Sequence, residues 1–307
     1  MFRLTTTAVL AAALLAACTA TTIPHPRPGQ ITVVATTTQM QDLVRQVGGR
    51  RVDEVGILRP NVDPHNFEAT PGTAIALAGA RLVVESGAGI DSWADDLVTS
   101  SSSPAAVFVA SARLRLRSGG PGGSAVDPHW WFDPALFEQA ALALGRELGR
   151  VDPAHAADFR RNAAGYVRRL RAMDAANRRL IATVPRGRRK LVTNHDAFAY
   201  FAAHYGITVE GSVIPSISSA AAPSAGGLTQ LIDRIRAQHV GAVFTESSLN
   251  PGLERQIASE AGVRVEANLY GDALGPPGSP GATYIGMMRW DMRAMVAGFL
   301  GRPPPRP

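Results

Sequence analysis

Three histidines stand in related settings: Asp63-Pro64-His65, Asp127-Pro128-His129 and Asn194-His195-Asp196. They lie 64 and 66 positions apart, and each is expected beyond the end of a β-strand in a different part of the chain. Asp272, after the last expected strand, adds a carboxylate. A neutral imidazole offers a nitrogen lone pair to a metal ion, and three imidazoles with one carboxylate make a tetrahedral donor set that suits Zn2+. A single His near a strand end is in general a hydrogen-bonded loop residue, so the four residues alone leave both readings open. The one cysteine, Cys18, lies close to the N-terminus, and this lack of thiolates disfavours Cu(I) and iron–sulfur chemistry. Ca2+ and Mg2+ prefer all-oxygen shells and fit the set poorly. The other histidines, His25, His155, His204 and His239, fall in a tether or on and beside helices and read as structural or exposed.

The elements that must carry these residues follow from the apolar pattern. Ile31–Thr37, Val55–Leu58, Leu82–Glu85 and Ala106–Ala110 read as strands, with helix-like stretches between them and a further helix over Phe132–Leu148. Asp152–Thr183 reads as one long helix, capped by Asp152 with Pro153 at its first position and stopped by Pro185-Arg186-Gly187. Strands resume at Leu191–Thr193, Val209–Val213, Ala242–Thr245 and Val263–Leu269, with helices at Leu228–Gln238 and Leu253–Ala261. Alternating strands and helices predict an α/β fold. The expected arrangement is two lobes, each with a four-stranded, mostly parallel sheet flanked by helices, joined by one long rigid helix. Expected boundaries are 31–151 for the first lobe, 152–184 for the linking helix and 185–307 for the second lobe. Ligands of open α/β sheets bind beyond the carboxyl ends of the strands. Two donors from each lobe therefore place the site in the cleft between them.

At 307 residues, 46% of them hydrophobic, the chain can build two cores of ordinary size. Its first 17 residues read as a signal segment: Met1-Phe2-Arg3, then an apolar run from Ala8 to Ala17 too short to span a bilayer. Leu15-Ala16-Ala17-Cys18 resembles a lipobox, which would make Cys18 the acylated first residue of the mature protein, with residues 18–30 as a tether. The formal charge is +6, or +5 after loss of Arg3. Arginines cluster at 160, 161, 168, 169, 171, 178 and 179 and again at 186, 188 and 189, which reads as a solvated helix face and a basic turn. No aromatic-interleaved basic groove accompanies them, so no nucleic-acid partner is expected.

The neighbourhoods of the four candidate donors then identify a family. Val62-Asp63-Pro64-His65-Asn66-Phe67-Glu68-Ala69-Thr70-Pro71 resembles the DPHxYEPTP signature of the cluster A-I metal-binding lipoproteins, the zinc and manganese substrate-binding proteins of bacterial ABC importers. Glu85-Ser86-Gly87-Ala88-Gly89-Ile90-Asp91-Ser92-Trp93 is similar to their NGxGxExW segment. Asp127-Pro128-His129-Trp130-Trp131-Phe132-Asp133-Pro134 is similar to DPHxWLDP, and Thr193–Phe201 to TxHxAFxYF. Phe244–Ser248 resembles FxExQ, and Tyr270–Gly275 the terminal DxLG motif. The resemblance spans nearly all of the mature chain.

The resemblance implies the two-lobed fold and carries the four ligand positions onto His65, His129, His195 and Asp272. It implies capture of a divalent ion outside the cytoplasmic membrane and delivery to a permease, by a monomer held at the outer face of the cytoplasmic membrane through Cys18. Members with His at the third ligand lean to zinc, and those preferring manganese often carry Glu there, so zinc is the expected cargo, with manganese or iron as the alternative. Against zinc stands Arg115–Ala125, which has neither the His nor the acids that many zinc members carry before the second ligand. Asp63, Asp127, Asp196 and Glu246 are candidates to orient the imidazoles. Trp93, Trp130 and Trp131 are expected to pack rather than touch metal. Four protein donors would close the shell and leave no activated water, which argues against a zinc hydrolase with Glu246 as base. Affinity is expected to fall below about pH 6 as the histidines protonate.

Overall fold

The computed structural model describes residues 27–100, 103–119 and 125–303. The signal segment, Cys18 and residues 18–26 of the tether lie outside the described residues. Strand β1 (Ile31–Ala35) shows how the first sheet is covered. Val33 and Ala35 join the main core, whereas Val34, on the opposite face, joins a smaller one with Leu77, Ala80 and Val83. Burial on both faces is the condition of a parallel sheet sandwiched by helices. The sheet runs in the order β2 (Val52–Gly56), β1, β3 (Leu82–Glu85), β4 (Ala106–Val109), all parallel. Helices α1 (Thr38–Gly48), α2 (Pro71–Ala78) and α3 (Trp93–Ser100) connect them. β2 begins at Val52, three residues earlier than expected, and ends nine residues before His65.

A two-residue antiparallel pair forms between β5 (Ser118–Gly119) and β6 (Ala125–Val126), and it delivers the chain to Asp127. Helix α4 (Pro134–Val151) follows. The long helix α5 (Ala156–Ala182) starts later than the pattern predicts, because Pro153–His155 forms a separate 3-10 turn. Asp152 does not cap it: its carboxylate is taken by His155 Nδ1 at 2.7 Å. At 27 residues the helix is about 40 Å long. Its apolar stripe (Phe159, Ala163, Tyr166, Leu170, Met173, Ile181) is buried against α1, α4 and α9 (Tyr284–Leu300).

The second half contains β7 (Lys190–His195), α6 (Ala199–Tyr205), β8 (Thr208–Ile214), α7 (Ala225–Ala237), β9 (Ala242–Glu246), α8 (Gly252–Ala261) and β10 (Arg264–Leu269). A continuous four-stranded sheet was expected here. Regular parallel pairing is instead confined to β7 with β8 and β9 with β10, and β7 and β9 lie side by side. Registers slip between Leu191 and Val192 and between Glu266 and Leu269. At the carboxyl ends of β7 and β9 a side chain takes the place of a backbone acceptor: Glu246 Oε1 receives the His195 N–H at 3.4 Å.

The main core is continuous from the first sheet through α5 to α9. Phe137 of α4 stacks on Tyr284 of α9 with centroids 3.6 Å apart. Asp42 of α1 accepts from the Tyr166 hydroxyl at 3.3 Å and the Tyr284 backbone N–H at 3.0 Å. Asn177 of α5 donates to the Met288 carbonyl at 2.9 Å. Among the described residues no helix is long and apolar enough to cross a membrane.

Candidate metal centre

Each candidate donor is presented by a short local device. Pro64 opens a one-turn 3-10 helix over Pro64–Asn66, and Asp63 caps it by accepting the His65 N–H at 2.9 Å. Asp127 makes the same backbone contact to His129, at 3.0 Å, just before a 3-10 turn over Trp130–Phe132. His195 is the last residue of β7. Asp272 follows β10 by three residues, after Tyr270 and Gly271, and the Tyr270 N–H is held by buried Asp291 at 2.9 Å.

These devices bring the four side chains together. One donor atom from each of His65, His129, His195 and Asp272 lies within 4.8 Å of the others. The Nε2 atoms approach Asp272 from three sides: His65 at 3.3 Å and His195 at 3.1 Å from Oδ2, and His129 at 3.3 Å from Oδ1. A tetrahedral shell with bonds of about 2.0–2.1 Å has donor–donor edges of about 3.3 Å, and these three nitrogen–oxygen spacings are of that length. His129, His195 and Asp272 are almost completely buried, and His65 is partly exposed at the rim. All three Nε2 atoms and both Asp272 oxygens are buried without a hydrogen-bond partner, although they lie close together. Five converging polar atoms left in this way are costly unless something electropositive satisfies them.

The opposite edges of two rings are held. His129 Nδ1 lies 2.7 Å from Asp127 Oδ1, and His195 Nδ1 lies 3.1 Å from Glu246 Oε1. An Nδ1–H donating to a carboxylate fixes the tautomer that aims the Nε2 lone pair at the centre. Asp63 and Asp196, the other two orienting candidates, do not reach a ring. Asp63 spends its oxygens on the His65 backbone, Asn66 and, at 2.6 Å, the Ser219 hydroxyl from the second lobe. Asp196 accepts from Ser212 at 2.6 Å. In an Asp-Pro-His turn the Asp can serve either backbone or ring, and the spacing does not tell which.

Charge follows from this packing. Burial opposes protonation of His129, but the carboxylates of Asp272 and Asp127 outweigh it and raise the ring to about 9. Burial likewise opposes a charged His195, yet Glu246 and Asp272 push it well above its ordinary value. Burial works against ionised Asp272 too, and His195 and His129 more than compensate, holding it well below the usual carboxylate range. Both rings therefore favour the protonated form above the ordinary histidine range, so protons compete with a metal ion beyond the expected pH 6.

Several supporting residues carried no role in the sequence reading. Tyr200 donates to the Asp127 carbonyl at 3.2 Å and accepts from the Arg117 N–H at 2.7 Å, bracing the segment before His129. Thr38 of α1 accepts the Leu274 N–H at 2.8 Å and so grips the loop of Asp272 from the first lobe. Gly271 is required by Glu246: a Cβ there would stand 2.1 Å from Oε2. Trp130 is buried and donates to Ser86, Trp131 packs edge-on against His129 with centroids 5.4 Å apart, and Trp93 packs on Phe67 at 4.5 Å. The last pair lines an open cleft of about 560 Å³ that also includes Pro64, His65, Pro128 and Ile217.

Known proteins share this framework. The family model described as Zinc-uptake complex component A periplasmic (ZnuA) matches residues 33–298. The manganese-binding lipoprotein MntA of Bacillus subtilis (strain 168) is 33% identical over 275 residues, covering 87% of this chain and 89% of that protein. The zinc-binding protein TroA of Treponema pallidum (strain Nichols) is 30% identical over 280 residues, 88% and 89% of the two chains. The iron-binding protein YfeA of Yersinia pestis is 28% identical over 286 residues, 90% and 88%. The solved structure of the periplasmic zinc-binding protein TroA from Treponema pallidum superposes with a TM-score of 0.82 at 28% identity, over 88% of this chain and 99% of that one.

Proposed function

The chain belongs to the periplasmic zinc-uptake component A family, whose members are metal-binding partners of ABC importer permeases rather than enzymes, and we propose that its cargo is Zn2+ held by His65, His129, His195 and Asp272. The relatives are named for manganese, zinc and iron, so membership alone does not select the ion. The observation that carries zinc is the donor set: three imidazole Nε2 atoms and one carboxylate, buried, unpartnered and converging within 4.8 Å of one another. Zn2+ accepts nitrogen donors and four-coordination readily, whereas Mn2+ favours oxygen donors. One observation supports manganese or iron as the second reading. Both Asp272 oxygens face the rings, which would let the carboxylate bind through two atoms and serve a larger shell.

Calorimetry on metal-stripped protein tests the assignment. Tight one-to-one Zn2+ binding that outcompetes Mn2+ supports it. Tighter Mn2+ binding, or Zn2+ binding unchanged in a His129→Ala and His195→Ala double variant, overturns it.

In this reading residues 1–17 are removed, acylated Cys18 holds the carrier at the outer face of the cytoplasmic membrane, and 18–30 tether it. The lobes 31–151 and 185–307, with the linker 152–184, act as a monomer. Mass spectrometry of the N-terminal peptide decides the anchor: an acylated Cys18 supports it, and an intact Met1 terminus ends it.

A further inference from the structure

The chain carries +6 overall, yet the 35 residues from Ala156 to Lys190 hold eleven Lys and Arg against two Asp, a net +9. The rest of the protein is therefore at −3. Six of the eleven cations sit on one surface. At 100° per residue, Arg160, Arg161, Arg168, Arg171, Arg178 and Arg179 fall within an arc of about 100° and extend about 28 Å along α5. All six are exposed, while the opposite face of the helix is locked into the main core, so the ridge cannot rotate away. Arg161, Arg171 and Arg178 pair with Asp158, Glu138 and Asp174. Among the described residues Arg160, Arg168 and Arg179 have no ion-pair partner. A solvated helix face explains any one of these arginines but not the segregation of charge between residues 156–190 and the rest of the chain.

The tether meets one end of this ridge. Gln30 donates to the Arg50 carbonyl at 3.0 Å, and the neighbouring Arg51 pairs with Asp158, in the first turn of α5, at 3.1 Å. Arg27 stands nine positions after Cys18, so an extended chain reaches at most about 32 Å. A lipid held at Cys18 thus keeps the amino end of the ridge within tens of ångströms of a bilayer. The ridge shares no residue with the cleft that opens onto His65.

We propose that the arginine face of α5 is a docking surface for anionic phospholipid headgroups, which lays the carrier against the membrane in one orientation. Basic residues near an anionic bilayer are attracted within a Debye length, about 10 Å at 0.1 M salt, while the net-negative remainder is repelled. The proposal uses the lipid anchor proposed above only to bring the ridge close, and its test dispenses with that anchor.

The chain from residue 18 onward, with Cys18→Ser, is floated with vesicles of phosphatidylglycerol in phosphatidylcholine and with vesicles of phosphatidylcholine alone. Binding is expected to the anionic vesicles only and to weaken with salt. Each arginine removed should cost about fivefold, so R160A/R168A/R179A should bind on the order of a hundredfold more weakly. The same variant should keep the parent's melting temperature and Zn2+ affinity, and R160K/R168K/R179K should bind like the parent. Equal binding to neutral vesicles, undiminished binding of the alanine variant, or binding to soluble heparin without binding to anionic vesicles overturns the proposal.

Discussion

Glu246 and His195 stand 51 positions apart in the chain, yet Glu246 Oε1 lies 3.1 Å from the ring Nδ1 and 3.4 Å from the backbone nitrogen of the same histidine. One carboxylate thereby sets the ring's tautomer, its rotation and the end of β7. Glu246→Ala should weaken metal binding roughly 10- to 100-fold, the usual cost of losing an outer partner of a metal-binding histidine. Gly271→Ala should produce a comparable loss without touching a donor, because its Cβ would meet Oε2 at 2.1 Å and displace the carboxylate. Titration calorimetry of both variants checks this. Parent-like affinity in Gly271→Ala would show that Glu246 does not hold its position tightly.

The two Asp-Pro-His motifs should respond differently to the same change. Asp127 bonds the ring of His129, so Asp127→Ala should weaken binding about 10- to 100-fold. Asp63 bonds only the His65 backbone, Asn66 and Ser219, so Asp63→Ala should change affinity by no more than a few-fold, with about 1 kcal/mol lost from stability. Equal losses of affinity in the two variants would mean that Asp63 also orients a ring.

Proton competition should extend far above the ordinary histidine range. With His129 raised to about 9 and His195 raised as well, the metal-free centre holds protons at neutral pH that an incoming cation must displace. Zn2+ affinity should therefore climb with pH through neutrality and still be rising toward pH 9. Proton release can be read by calorimetry in buffers of different ionisation enthalpy. A plateau already reached at pH 7 would contradict the charge assignment.

Stability should show a separate alkaline loss through His204. Its Nε2 lies 2.8 Å from Asp174 of α5, and its Nδ1 lies 3.2 Å from Asp133 before α4. Burial disfavours its charge, but the two carboxylates prevail and raise it to about 8. A raised histidine stabilises fully below its unfolded value, about 6.5, and that contribution fades as pH rises through about 8. Asp174, despite burial, is lowered to about 2 by His204 and Arg178, so its share is present above about pH 4 and fades as pH falls through about 2. The melting temperature should decline between pH 6.5 and 8.5 in the parent and much less in His204→Gln. Identical profiles would remove His204 from the account.

The α/β alternation was legible along the chain because strands buried on both faces must be continuously apolar, as Val33, Val34 and Ala35 are. The chemistry of the candidate centre was legible as well: His65, His129, His195 and Asp272 could be picked out by residue type and local motif. The start of α5 was less legible, because Asp152 and Pro153 serve equally well as a helix start or as the 3-10 turn they form. Which carboxylate serves which ring could not be read from spacing. Asp63 and Asp127 share a motif, and only the packing around Ser219 and Trp131 separates their roles.

By itself, then, the sequence determined the donor types, the alternation of elements and the family, because these depend on residue identity and local periodicity. The tertiary structure decided the rest: Glu246 beside His195, Thr38 on the loop of Asp272, the space that only Gly271 leaves, and a single arginine ridge along α5. Such relationships join residues far apart in the chain, and their energies depend on distances of a few ångströms that exist only once the cores have closed.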